Sequence, residues 1–273
     1  MRNRKLGASA LVLSLVAAAG AAEVDITWTG EGDGFTWGDA LNWDANVVPM
    51  NNGDTYNVFL STTGEVLFDL DMPATITDLA LGESQTLRIG RGHSLTVADD
   101  AVVNGVIQVQ NSSFLAQSAG ASFGANQNAR LLAEGGGTIG IAATNYSSAA
   151  LGSSQVLFDA HGLGTVIDLS SLQELDAGFN GFGGTQVHEI NVSASAMIDL
   201  SGVQTVIGPI DGEDRLDLTL NSDGLVMLPA LQEIFSAGGG DVRFIVNVPS
   251  YALLSLTSAE DTWFDLAAGT ALD

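Results

Sequence analysis

One segment of this chain recurs at a fixed distance. Ile190 to Leu200 aligns on Leu218 to Leu228, and both align on Val246 to Leu256, with an offset of 28 residues each time. Val192, Leu220 and Val248 fall in one column, Met197, Leu225 and Leu253 in a second, and Leu200, Leu228 and Leu256 in a third. Ala196, Gly224 and Ala252 keep a small residue between them. An earlier copy, Val166 to Ser170, matches Met197 to Ser201 with an offset of 31, and insertions of that size belong in loops. Within each copy apolar residues stand two apart, as in Ile190 and Val192 or Leu218 and Leu220, which is the period of a strand with one buried face. A unit this short cannot bury its own apolar side. Stacked units bury it in a continuous column.

The pattern therefore predicts an all-β chain folded as a right-handed parallel β-helix. A leucine-rich-repeat-like solenoid is the rival, prompted by Leu169, Leu172 and Leu175, but its asparagine position does not recur and no helix pattern marks a convex side. The polar pairs Gln173-Glu174, Gln204-Thr205 and Gln232-Glu233 follow the copies at matching places and read as outward surface. Residues 75–141 form a second, less regular stretch, with Ile76, Leu79, Leu81, Leu87, Ile89, Leu95 and Val97 in alternating pairs between Gly, Asn and Asp turn signals. Apolar residues make up 46% of the chain and charged ones 15%, enough for a core. Cysteine is absent, so stability rests on burial and backbone ladders.

The first 22 residues read as a secretory signal peptide. Arg2, Arg4 and Lys5 precede an apolar run from Leu6 to Ala19 that is too short for a membrane span and exits through small residues, with cleavage expected after Ala21 or Ala22. Residues 23–60 are expected to form an N-terminal cap or first rung, and residues 61–273 the solenoid. Losing three cations moves the formal charge from −24 to −27 and leaves five arginines and no lysine. Such a surface repels nucleic acid, whose binding depends on neutralising phosphates. It also repels anionic lipid and polysaccharide unless divalent cations bridge them. No later stretch is apolar enough to span a membrane.

Two segments carry a resemblance. Ala129 to Glu134 followed by Gly135-Gly136-Gly137-Thr138-Ile139 resembles the β-strand repeats associated with autotransporters and large bacterial surface proteins. Trp28-Thr29-Gly30, Gly32-Asp33-Gly34, Trp37, Asn42-Trp43 and Pro49 look like the opening segment of secreted repeat proteins of environmental bacteria. The resemblance implies a cap on an extracellular β-helix and brings no assigned activity with it.

Candidate sites are sparse. Trp28, Trp37 and Trp43 could form a stacking platform for sugar rings, or could close the exposed end of the stack, with Trp263 and Phe264 closing the other. His93 with Arg88 and Arg91 is a local concentration of nitrogen groups of the kind that could meet a uronate, with no carboxylate beside it in sequence. His161 and His188 stand alone. Asp168 and Asp199 share a column and read as surface, since Met227 and Ser255 follow them. Asp211, Glu213, Asp214 and Asp217 could supply oxygen ligands to Ca2+, although they lack the spacing of the known calcium loops, as do Glu31 and Asp33. No Gly-x-Ser-x-Gly elbow, phosphate loop or dinucleotide fingerprint is present.

The leading expectation is an extracellular or cell-surface structural or adhesive repeat protein without catalysis, whose partners would be extracellular polysaccharide or other surface proteins. A carbohydrate-binding protein is second. A polysaccharide lyase or hydrolase is third, and a cleft joining His93 or an arginine to several aspartates would mark it. The leader makes one direct prediction: protein recovered from outside a secreting host begins at Ala22 or Glu23 by intact mass, and recovery with Met1 retained would overturn the reading.

Overall fold

The computed structural model describes residues 22–116, 118, 121–123, 129–149, 151–181, 183–236 and 238–272. The leader read over residues 1–22 lies outside them except for Ala22. Among the described residues the chain is almost entirely strand and turn, with one 3-10 turn at Ala40–Asn42. The named strands pair in parallel with strands one turn earlier or later in sequence, and all but one pair of them collect into three long sheets. This is a parallel β-helix. A leucine-rich-repeat solenoid, with strands on one side only, does not fit three sheets.

The first sheet has ten strands, starting with Glu23–Thr27 against Thr55–Leu60, and the second has nine, from Gly64–Phe68 to Thr262–Leu266. The third has seven, from Ala74–Ile76 to Leu225–Met227, with a separate pair, Ser250–Tyr251 and Ala271–Leu272, beyond them. Each turn contributes one strand to each face, giving nine complete turns. At about 4.8 Å per turn the stack is on the order of 45 Å long.

Register follows side-chain pattern. On the second face Val66, Leu87, Ile107, Leu131, Phe158, Ile190, Leu218 and Phe244 form one inward column, all fully buried. On the third face Leu95, Phe114, Ile139, Ile167, Ile198 and Val226 do the same. Between the faces the corners vary freely: twenty residues separate Leu87 from Ile107, and thirty-two separate Phe158 from Ile190. Corner length is free because a loop there adds nothing to the core. The middle turns hold an aromatic ladder in which Phe123 and Tyr146 lie 4.6 Å apart and Tyr146 and Phe158 4.8 Å apart. The Tyr146 hydroxyl donates to Ala129 O at 3.0 Å, which satisfies it in the interior, where burial pushes the phenol far above its ordinary range.

Ile190 pairs with Leu218, Met197 with Leu225 and Val166 with Met197, at the offsets read from sequence. The third copy is displaced. Leu218 pairs with Phe244 and Leu220 with Val246, two residues from the expected match of Leu218 with Val246. On this face a slip of two keeps every side chain on its own side, so the apolar pattern cannot distinguish the two registers. On the third face the expected match of Leu225 with Leu253 is not made, and Leu253 stands in the place of Leu228.

Cross-turn packing in the interior predicts a clear contrast. Phe158→Ala, which empties the aromatic ladder, should lower unfolding free energy by about 3–5 kcal/mol in denaturant titration. Leu132→Ala, on the outward side of the neighbouring strand Arg130–Glu134, whose Leu131 is the register partner of Phe158, should change it by less than about 1 kcal/mol.

Candidate functional site

Residues 28–51 complete an unfinished turn below the first full one. Glu23–Thr27 supplies its strand on the first face. Residues 35–37 supply the second: Trp37 N donates to Leu67 O and Leu67 N to Phe35 O, both at 2.8 Å. On the third face the Asn51 side chain stands in for a strand, accepting from Thr75 N at 2.8 Å and donating to Pro73 O at 3.0 Å. Thr55–Leu60 follows as the first-face strand of the first full turn.

The three tryptophans sit inside this element. Trp28, Trp37 and Trp43 are buried, packed edge to face at 5.0 Å and 4.8 Å, and Trp37 meets Phe68 of the stack at 5.2 Å. Two of the indole N–H groups are used internally: Trp37 Nε1 donates to Pro49 O and Trp43 Nε1 to Trp37 O, both at 2.9 Å. A sugar platform needs open ring faces, so the expected carbohydrate-binding role of Trp28, Trp37 and Trp43 is corrected: they plug the end of the core.

Asn42 holds the loop around them. Its Oδ1 accepts from Gly32 N and Gly34 N at 2.9 Å, and its Nδ2 donates to Asp33 Oδ1 at 2.7 Å and Thr36 O at 2.9 Å. Hydrogen bonds from Thr36, Asn42 and Phe35 hold the Asp33 carboxyl well below the usual carboxylate range. Asp39 accepts from Asp33 N and caps Ala40–Asn42, and a Cβ on Gly32 would collide with it. Asp33 is thus a loop ligand for backbone and side-chain donors in place of a metal.

The four residues considered for calcium do not converge. Asp211 Oδ1 accepts from Glu213 N at 2.9 Å, and Asp214, nearly buried, accepts from Gly181 N at 2.7 Å and Gln186 N at 2.8 Å. Asp217 lies on the strand Arg215–Asn221 and takes the Arg215 Nε at 3.0 Å. Asp214 serves as a clamp on the loop at 181–186, and among the described residues no set of three or more acidic or imidazole groups could hold a metal ion. The calcium reading of Asp211, Glu213, Asp214 and Asp217 is corrected on that geometry. Asp168 and Asp199 are register partners, yet each accepts from a backbone N–H two residues on, Ser170 and Ser201, and so caps its own corner.

The cationic run divides. Arg88 reaches back one turn to Glu65 at 3.3 Å on the outer second face. Arg91 and His93 turn into the corner between the second and third faces, where they line a cleft of about 280 Å³ with Asp69 and Asp71. The His93 ring rests edge-on against buried Phe68 at 6.3 Å. Asp69 Oδ1 is partly committed, accepting from Gly38 N of the cap at 2.7 Å. Arg91 has φ +64°, in the left-handed region that branched and long side chains seldom occupy. The carboxylates that His93 lacks in sequence come from the preceding corner, twenty-two residues earlier. Here an arginine, an imidazole and two carboxylates line a shared opening, which offers an anion contact beside groups of the kind that move protons.

The remaining histidines are structural contacts. His161 Nδ1 meets Ser193 Oγ one turn away at 2.8 Å. His188 is buried and stacked on Phe179 at 3.6 Å. Its Nε2 lies 3.1 Å from Ser153 O, which can only accept, so Nε2 carries the proton and Nδ1 accepts from Ser148 Oγ at 3.1 Å. Loss of solvent pulls its pKa down to about 4.

No protein-family model matches this chain, and neither the curated proteins nor the solved structures include a match to it.

Because the folded pKa of His188 lies below the ordinary 6.5, its contribution to stability is complete above pH 6.5 and is lost as pH falls toward 4. Urea midpoints of the wild type should decline across that window by the equivalent of up to about 3 kcal/mol. His188→Phe should be less stable at pH 7 and should lack that decline; an unchanged decline would place its source elsewhere.

Proposed function

We propose that the chain is an exported, non-catalytic structural or adhesive β-helix of the cell surface or its surroundings, of the kind that the repeat and Trp-rich segments resemble. The observation carrying this is how the outward polar side chains are used. They join one turn to the next along the axis: Asp25 accepts from Asn57 at 2.8 Å, Ser94 meets Ser113 at 2.7 Å, Ser147 donates to Asp176 at 2.8 Å, Arg130 to Gln155 at 3.0 Å, and Asn247 to Asn221 at 2.7 Å. Polar groups arranged this way brace a rod, whereas a catalytic surface gathers them on one point. The acidic balance keeps such a rod hydrated and apart from its copies. Among the described residues no helix is long and apolar enough to cross a membrane. Its partners would be extracellular polysaccharide or other surface proteins.

A second reading is favoured by the corner cleft. Arg91 and His93 opposite Asp69 and Asp71 are the groups a lyase or hydrolase acting on an acidic polysaccharide would use, with Arg91 meeting a uronate carboxylate and His93 or an aspartate moving a proton. One experiment separates the two. Purified mature chain is incubated with a panel of neutral and uronate-containing polysaccharides, following both retention on the immobilised polymer and release of reducing or unsaturated ends. The structural reading expects no chain cleavage, and a retention unchanged in His93→Ala. Polymer cleavage that falls at least tenfold in both Arg91→Ala and His93→Ala would replace it with the second reading.

A further inference from the structure

The third sheet is interrupted. Leu225–Met227 is the last strand of its seven-stranded part, and the strand of the next turn, Ser250–Tyr251, pairs onward with Ala271–Leu272 instead of back to it. The same two turns are in continuous ladder on the other faces, where Val206 pairs with Ile234 and Leu216 through Asn221 pair with Val242 through Asn247. The break is therefore local. It opens a fissure of about 370 Å³ whose walls include Leu225, Met227, Pro229, Tyr251, Ala252 and Leu254.

One inward column changes its chemistry at the break. Leu256 N donates to Leu253 O as Leu231 N does to Leu228 O, so Leu253 occupies the place of Leu228, and Tyr251 the place of Val226. Preceding turns fill that position with Leu95, Phe114, Ile139, Ile167 and Ile198. A ring by itself fits this column, since Phe114 pairs without a break with Leu95 and Ile139, and what Tyr251 adds is a hydroxyl at the far end of the ring. The Tyr251 ring is buried near Phe244 at 6.2 Å, and its hydroxyl, also buried, has no hydrogen-bond partner. An unmatched buried hydroxyl is costly.

The opposite wall has unmet groups too. One turn earlier, Ala196 O accepts from Leu225 N and Leu200 N donates to Met227 O. The equivalent groups one turn on, Gly224 C=O and Leu228 N–H with Val226 N–H and C=O between them, face the fissure, and no described strand pairs with them. A ligand that fits must supply backbone donors and acceptors at strand spacing together with apolar side chains, since Leu225 is 44% exposed and Leu254 80% exposed beside the opening. Sugars lack the apolar side chains, and acyl chains lack the donors. The strongly acidic chain further disfavours an acidic segment.

We propose that the fissure between Leu225–Met227 and Ser250–Tyr251 is a strand-acceptor site, which takes one extended, apolar, non-acidic peptide segment of another protein and completes the third sheet with it. The segment pairs with Val226 and satisfies the Tyr251 hydroxyl through its backbone. This inference needs neither reading of function given above.

The probe is a labelled synthetic peptide, Gly-Leu-Val-Met-Leu-Pro with terminal lysines for solubility, which repeats the strand that this sheet already accepts one position earlier. Binding is followed by fluorescence anisotropy, and the contact by amide hydrogen exchange on the full mature chain. Saturable binding of one peptide per chain is expected, with exchange slowed at Val226 and Leu228, and with at least a tenfold loss of affinity when the valine nitrogen of the peptide is methylated. Tyr251→Val should close the fissure, abolish binding and protect the Val226 amide without peptide. Tyr251→Phe, which keeps the ring and removes the hydroxyl, should weaken binding severalfold with the fold intact. The proposal is overturned by absence of binding to the wild type, by binding indifferent to N-methylation, or by protection away from Val226. A dimer that already protects Val226 without peptide assigns the slot to a second copy and overturns it equally.

Discussion

Parallel pairing between successive turns is the interaction on which everything else depends. A strand of three to seven residues has too little apolar surface to stay folded by itself, and each turn here is stable because two neighbours cover its ladder and its inward side chains. That arrangement transfers the difficulty to the ends and to any turn that departs from the common shape. The Trp-rich element answers it at the start of the stack by offering one strand, one short bridged segment and one asparagine side chain to the three waiting edges. Three different devices for three faces is economical in sequence, and it accounts for why Trp37, Asn42, Trp43 and Asn51 lie so close together.

Much of the architecture was readable before any coordinates. Alternation at Ile190 and Val192 or Leu218 and Leu220 defines strand and inward face at once, and the offsets of 28 and 31 locate true register partners. The displaced third copy marks the limit of such reading: period two is blind to a slip of two, and what resolves it is the length of the corner, which carries no apolar signal. Where turns vary from twenty to thirty-two residues, a fixed offset holds only locally.

Sites were less legible than folds for a related reason. Asp69 and Asp71 stand twenty-two residues before Arg91 and His93, and only knowledge of the turn length brings them to one corner. The acidic run at Asp211 to Asp217 looks like a cation site in sequence because the backbone N–H groups of Gly181 and Gln186, and the Arg215 side chain, are invisible there as competing partners. Tryptophan raises the same ambiguity: an indole suits a sugar and a core plug equally well in composition, and exposure decides. The burial of Trp28, Trp37 and Trp43 decides for the plug.

The interruption on the third face also divides the molecule mechanically. Seven turns are fastened to one another along three ladders, while the last two are joined to them along only two, Arg215–Asn221 on Asp241–Asn247 and Thr205–Gly208 on Glu233–Ser236. Nearest-neighbour coupling makes the whole behave as a chain of linked springs, and at this one link the load is carried by two faces instead of three. A pull or a twist along the axis therefore passes that joint off-centre, on the two sides that stay laced.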